Sequence, residues 1–64
     1  MSIKDARKRA GLTQVRLSAA TGIDQAAISR MENGRQGITL AQLKRIAVAL
    51  GLTPADLVEG NGRH

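Results

Sequence analysis

The chain has no cysteine, so neither a disulfide nor a thiolate metal site can hold it together. It also has no phenylalanine, tyrosine or tryptophan. Its core must therefore be assembled from leucine, isoleucine, valine, methionine and alanine. The same lack excludes the aromatic platforms on which single-stranded nucleic acids stack their bases. No apolar run approaches the ~20 residues of a membrane span, and the N-terminus lacks the apolar stretch of a secretory signal. The one histidine is the last residue, His64. There is no His–carboxylate cluster at metal-ligand spacing and no strand-bound glycine-rich phosphate loop. The chain is therefore expected not to be an enzyme and to need no cofactor, metal or small-molecule ligand.

Acid is scarce as well. Five Asp and Glu face ten Lys and Arg, a formal net charge of +5, with a sequence pI of about 11.3. Residues 1–45 carry nine of the bases (Lys4, Arg7, Lys8, Arg9, Arg16, Arg30, Arg35, Lys44 and Arg45) against Asp5, Asp24 and Glu32. The positive charge thus belongs to the front two thirds and points to a polyanionic partner, although a generic solubilising surface would also carry it. With 64 residues there is room for one domain, and a chain this short buries only ~60% of its unfolded surface.

No segment alternates with period two, which argues against strands. Instead a hydroxyl or carboxylate residue repeatedly opens a segment that a glycine closes. Ser2 opens a helix to about Ala10 before Gly11, Thr13 one to Thr21 before Gly22, and Asp24 one to Asn33 before Gly34. Thr39 with Gln42 forms a capping-box pattern for a helix ending at Leu50 before Gly51, and Thr53 with Asp56 another, with Pro54 at the first helical position. That fifth helix is expected to end before Gly60, giving a domain over 1–59 and a flexible tail over 60–64. In the fourth helix Leu40, Leu43, Ile46, Ala47 and Leu50 share one face, expected to be core. In the first, Arg7 shares a face with Ile3, Ala6 and Ala10, an unusual place for an arginine that lacks a partner.

The third helix differs from an ordinary solvated helix. At 100° per residue Ala27, Ile28 and Met31 fall on one side, and Ala26, Ser29, Arg30 and Asn33 on the other with Gln25 at their edge. Glu32 falls at the border, turned toward the body. The outward face is small and hydrogen-bonding around one long cation, without the Lys–Glu pairs a solvated face usually carries. Gln can pair with adenine, Arg can fork onto guanine O6 and N7, and Ala can meet a thymine methyl. Only Gly22, Ile23 and the cap Asp24 separate the second and third helices, a connection typical of a helix-turn-helix.

The residues Arg7, Gly11-Leu12-Thr13-Gln14, Leu17-Ser18, Thr21-Gly22-Ile23, Ile28 through Gly34 and Leu43 through Gly51 together resemble the Cro/repressor-type (XRE) helix-turn-helix family. The resemblance runs from residue 3 to about 58 in order and spacing. Ser18 departs from it, since the family usually has alanine there. What the resemblance implies is an all-α, five-helix bundle of the lambda-repressor-like type, working as a bacterial or phage cytoplasmic transcription regulator bound to double-stranded DNA. Gln25, Ala26, Ser29 and Arg30 match positions that meet bases. Thr13, Gln14, Asn33 and Arg35 match positions that meet phosphates. Arg7 and Glu32 match an ion pair between the first helix and the recognition helix.

A homodimer on a pseudo-palindromic operator, acting as a repressor, is the expected working form. Leu52, Pro54, Leu57 and Val58 are its candidate contact surface, unless they simply close the core. The alternative is a DNA-binding interaction module such as an antitoxin or a restriction-modification controller. The chain shows no long extra segment to wrap a partner, and no helix with the outward apolar face that membrane-surface binding needs.

Overall fold

The Ser2 hydroxyl accepts the backbone N–H of Asp5 at 3.1 Å and starts α1 (Ile3–Arg9). The computed structural model describes residues 1–61, with side chains to Leu57. Four further helices follow: α2 (Gln14–Thr21), α3 (Gln25–Glu32), α4 (Leu40–Leu50) and α5 (Pro54–Asn61). Among the described residues there is no strand, so the all-helical reading holds.

The local signals account for most boundaries. Thr13 Oγ1 accepts from Arg16 N at 3.1 Å. Thr39 Oγ1 accepts from Gln42 N at 3.1 Å while Gln42 Oε1 accepts from Thr39 N at 3.0 Å, a complete capping box. Asp56 closes the corresponding loop on Thr53. Asp24 precedes α3, but its side chain makes no capping bond; the first turn is closed instead by Ile28 N–H donating to the Asp24 carbonyl at 3.0 Å. Gly11, Gly22, Gly34 and Gly51 all have positive φ. The last helix runs through Gly60 to Asn61 rather than ending before Gly60. A glycine inside a helix costs only about 1 kcal/mol relative to alanine and does not by itself end one. Residues 62–64, most of the expected tail, lie outside the described residues.

Ile3, Leu17, Ile28, Ile46 and Leu57 are the largest fully buried side chains, and Ala6, Ile23, Met31, Leu43 and Ala47 complete the core. Each helix thus contributes at least one anchor. The helix α2 packs against both α3 and α4, while α1 and α5 close the bundle. Two expectations are corrected here. Leu40 is 63% exposed. On the α4 wheel it stands ~70° from the centre of the stripe made by Leu43, Ile46, Ala47 and Leu50, and as the first residue of α4 it reaches past the core. Leu57 is fully buried, so it belongs to the core and offers no surface for a second subunit. Among the described residues no helix is long and apolar enough to cross a membrane.

Candidate nucleic-acid interface

Three residues, Gly22 to Asp24, carry the chain from α2 into α3, and two hydroxyls hold that turn. Gly22 takes φ +74° and donates its N–H to the Ser18 carbonyl at 2.9 Å. A β-carbon there would meet no neighbour within 4 Å, so glycine is required by backbone conformation rather than by space. The Thr21 hydroxyl, in one of the two buried polar or charged residues among those described, donates to the Leu17 carbonyl at 2.8 Å and accepts from Ile23 N at 3.2 Å. The Ser18 hydroxyl donates to the Ile23 carbonyl at 2.5 Å. Both backbone polar groups of Ile23 are therefore satisfied by side chains, and its own side chain enters the core. The Thr21 bonds were not anticipated from sequence; two hydroxyl residues in the last turn before a glycine are the signal that marks them. Ser18, where the family usually has alanine, forms a specific bond here.

With the turn fixed, Ile28 and Met31 seat α3 in the core and set its opposite face outward. Gln25, Ala26, Arg30 and Asn33 are exposed and Ser29 is half-buried. Arg30 Nε donates to Gln36 Oε1 at 2.6 Å. Thr13 is exposed at the start of α2 and Gln14 beside it is half-buried, and Arg35 is exposed just beyond Gly34. No acidic residue lies in the first turn of α2, so the free N–H groups and positive dipole end there suit an anion. Leu52 and Pro54 are half-buried at the α4–α5 corner; Val58 lies outside the residues whose side chains are described.

Beneath this face Arg7 of α1 reaches Glu32 of α3. Arg7 Nε lies 2.7 Å from Glu32 Oε2 and Nη2 3.1 Å from Oε1, a two-point fork. Arg7 Nη1 also donates to the Leu12 carbonyl at 2.8 Å, and Gln14 Nε2 donates to Glu32 Oε1 at 3.1 Å. The side chains are 11% and 1% exposed. Burial pushes the Glu32 carboxyl up, but the hydrogen bonds from Arg7 and Gln14 and the charges of Arg7 and Lys4 outweigh it and hold Glu32 below its ordinary range. The Glu32 bond raises Arg7 further above an already high value. Arg7–Glu32 is the one ion pair among the described residues. Lys4, Lys8, Arg9, Arg16, Arg30, Arg35, Lys44 and Arg45 are all exposed.

The family model described as helix-turn-helix matches residues 3–57. The chain belongs to the XRE-type helix-turn-helix family. A similar protein is the uncharacterized HTH-type transcriptional regulator y4dJ of Sinorhizobium fredii, 38% identical over 52 residues that cover 81% of this chain and 68% of that protein. The family is one of DNA-binding domains of transcriptional regulators and not of enzymes. In this XRE-type domain the three-helix network of Arg7, Gln14 and Glu32 ties the start of α2 and the end of α3 to α1. Thr13 is exposed at the first of these places, and Asn33 and Arg35 at the second.

Proposed function

We propose that this domain is a sequence-specific repressor that binds a pseudo-palindromic operator as a homodimer, laying α3 in the major groove. The reading rests on the outward face of α3: Gln25, Ala26, Ser29 and Arg30 combine amide, methyl, hydroxyl and guanidinium groups with no acid among them. These groups complement base edges, and the small residues let the helix axis approach the groove floor. Thr13 and Gln14 at the start of α2, and Asn33 and Arg35 at the end of α3, hold the flanking phosphates and fix the register. Thr13 uses its hydroxyl oxygen to cap Arg16 N and keeps its hydrogen for an acceptor outside the protein.

Dimerisation follows from selectivity. One recognition helix reads too few base pairs for a genome, and two half-sites roughly double the specific contacts. Leu52 and Pro54 supply the contact. Occupying an operator in the cytoplasm then represses by excluding other proteins from the same DNA. Selecting binding sites from random duplex DNA tests the reading. Enrichment of an inverted repeat with half-site centres about 10 base pairs apart supports it. An enriched motif without symmetry refutes the dimer, and the absence of any enriched motif refutes sequence-specific binding.

A further inference from the structure

The structure assigns Gln36, which lies outside the recognition helix, as a positioning residue that sets the specificity of Arg30. The assignment rests on the reading of Arg30 as a base-contacting side chain. An exposed arginine is a long, freely rotating group, and its rotamer entropy must be given up when it docks on a base edge. Arg30 does not rotate freely, because its Nε–H is held at 2.6 Å by Gln36 Oε1. None of the other outward residues of α3, Gln25, Ser29 or Asn33, has a side-chain hydrogen bond to a described residue.

The backbone explains how Gln36 comes to be there. Gly34, at φ +70°, reverses the chain at the end of α3. Gly34 N–H donates to the Met31 carbonyl at 3.2 Å, and Arg35 N–H donates to the carbonyl of Arg30 itself at 2.8 Å. This paired closure is a Schellman motif. It brings the residue after Arg35 back beside the side chain of Arg30, and Gln36 is half-buried there between exposed Arg35 and Gly37, so the loop presents its amide from a fixed base.

Two chemical consequences follow. With Nε engaged, the four remaining N–H groups lie on Nη1 and Nη2, so Arg30 can present only its end-on fork to guanine O6 and N7; the side-on fork, which uses Nε, is closed. An amide also orients without neutralising. A carboxylate at position 36 would hold the guanidinium more tightly, but it would cancel the charge that DNA attracts.

The test measures affinities by anisotropy of labelled duplexes. The selected operator, the operator with the base pair facing Arg30 replaced in one half-site, and random duplex are compared for the parent, Gln36→Met, Arg30→Ala and the double variant. Gln36→Met is expected to lose about 3- to 10-fold of the discrimination at that base pair, with random-duplex affinity within about twofold of the parent. The double variant should discriminate no worse than Arg30→Ala alone. Gln36→Glu, which restores the acceptor, should keep the discrimination ratio while weakening every duplex. In the DNA-free protein, the Arg30 Nε–H resonance should exchange with solvent faster in Gln36→Met than in the parent.

Unchanged discrimination in Gln36→Met beside relaxed discrimination in Arg30→Ala overturns the role of Gln36 alone. Equal weakening of all duplexes by Gln36→Met also overturns it. If Arg30→Ala relaxes no base pair, the base-contact reading falls and the role of Gln36 falls with it. Should Gln36→Met fail to fold, a changed discrimination ratio in Gln36→Glu refutes the assignment by itself.

Discussion

Removing Arg7 is expected to reverse the sign of the acid response of this domain. Glu32 is almost wholly buried and accepts two hydrogen bonds from Arg7 and one from Gln14. Arg7→Met leaves that carboxylate in the interior with the Gln14 bond and the charge of Lys4. Breaking one side of a buried pair costs about 3–5 kcal/mol, and a domain of this size rarely holds more than about 3–5 kcal/mol in total. At neutral pH the variant is therefore close to unfolded. Glu32→Ala should fall at the low end of that range. Arg7 keeps its bond to the Leu12 carbonyl and is the more exposed of the two side chains, whereas Glu32 in the converse variant keeps only the Gln14 bond and is almost shut off from water.

The pH dependence separates these cases. In the parent, the folded Glu32 titrates below its unfolded value. Its stabilisation is complete above about pH 4.3, the ordinary glutamate value, and is lost as pH falls through the lower folded value. Without Arg7, burial, the largest single influence on this carboxyl, is opposed only by the Gln14 bond and the Lys4 charge, so the variant is expected to gain stability as pH falls toward the ordinary glutamate range. Thermal melts followed by far-UV circular dichroism suit a chain without aromatic residues. At about 4–8 °C per kcal/mol, Glu32→Ala should melt more than ~12 °C below the parent. Arg7→Met combined with Glu32→Leu should recover much of the loss, since the desolvation penalty leaves with both charges. Parallel pH curves for the parent and Arg7→Met, or a Glu32→Ala melt within a degree or two of the parent, refute the buried-pair account.

Three other outcomes follow from the geometry. Arg35→Ala should weaken operator and random duplex alike and reduce the magnitude of the logarithmic salt slope by about one, read from binding at several salt concentrations; an unchanged slope removes Arg35 from the phosphate contacts. Gly22→Ala should cost about 1–2 kcal/mol in denaturant unfolding, purely from positive φ, because the new methyl meets nothing within 4 Å. Ser18→Ala should cost about 0.5–1.5 kcal/mol and speed exchange of the Ile23 amide, since it removes the bond to the Ile23 carbonyl and loosens the turn; identical exchange in both proteins argues against a role for this hydroxyl.

Much of the fold was legible because its signals are local. Thr13, Thr39 and Gln42 act within a turn of themselves, and Gly11, Gly22, Gly34 and Gly51 end segments by their own backbone angles. What was not legible depends on neighbours distant in sequence. Leu40 obeys the helical period loosely, and whether another element covers it is a tertiary matter. Leu57 could face a partner or the core, and only the packing of α5 on α1 and α4 puts it inside. At the candidate interface, the wheel separated the outward from the inward face of α3. The bond that Arg30 donates to Gln36 depends on a loop reversal whose closing bonds no periodicity reveals.

The ion pair has a consequence for how such a chain can change over generations. Arg7 and Glu32 are 25 positions apart, so one codon change cannot replace both. An apolar pair of similar volume would serve the interior as well or better. Yet each single step toward it passes through a protein with one orphaned buried charge, at or below the threshold of folding. The present pair is thus hard to leave even where it is not the best solution. A lineage that does escape it should do so after gaining stability elsewhere, or by a first step at Glu32, where the surviving Arg7 still has a carbonyl to bind and a route to water.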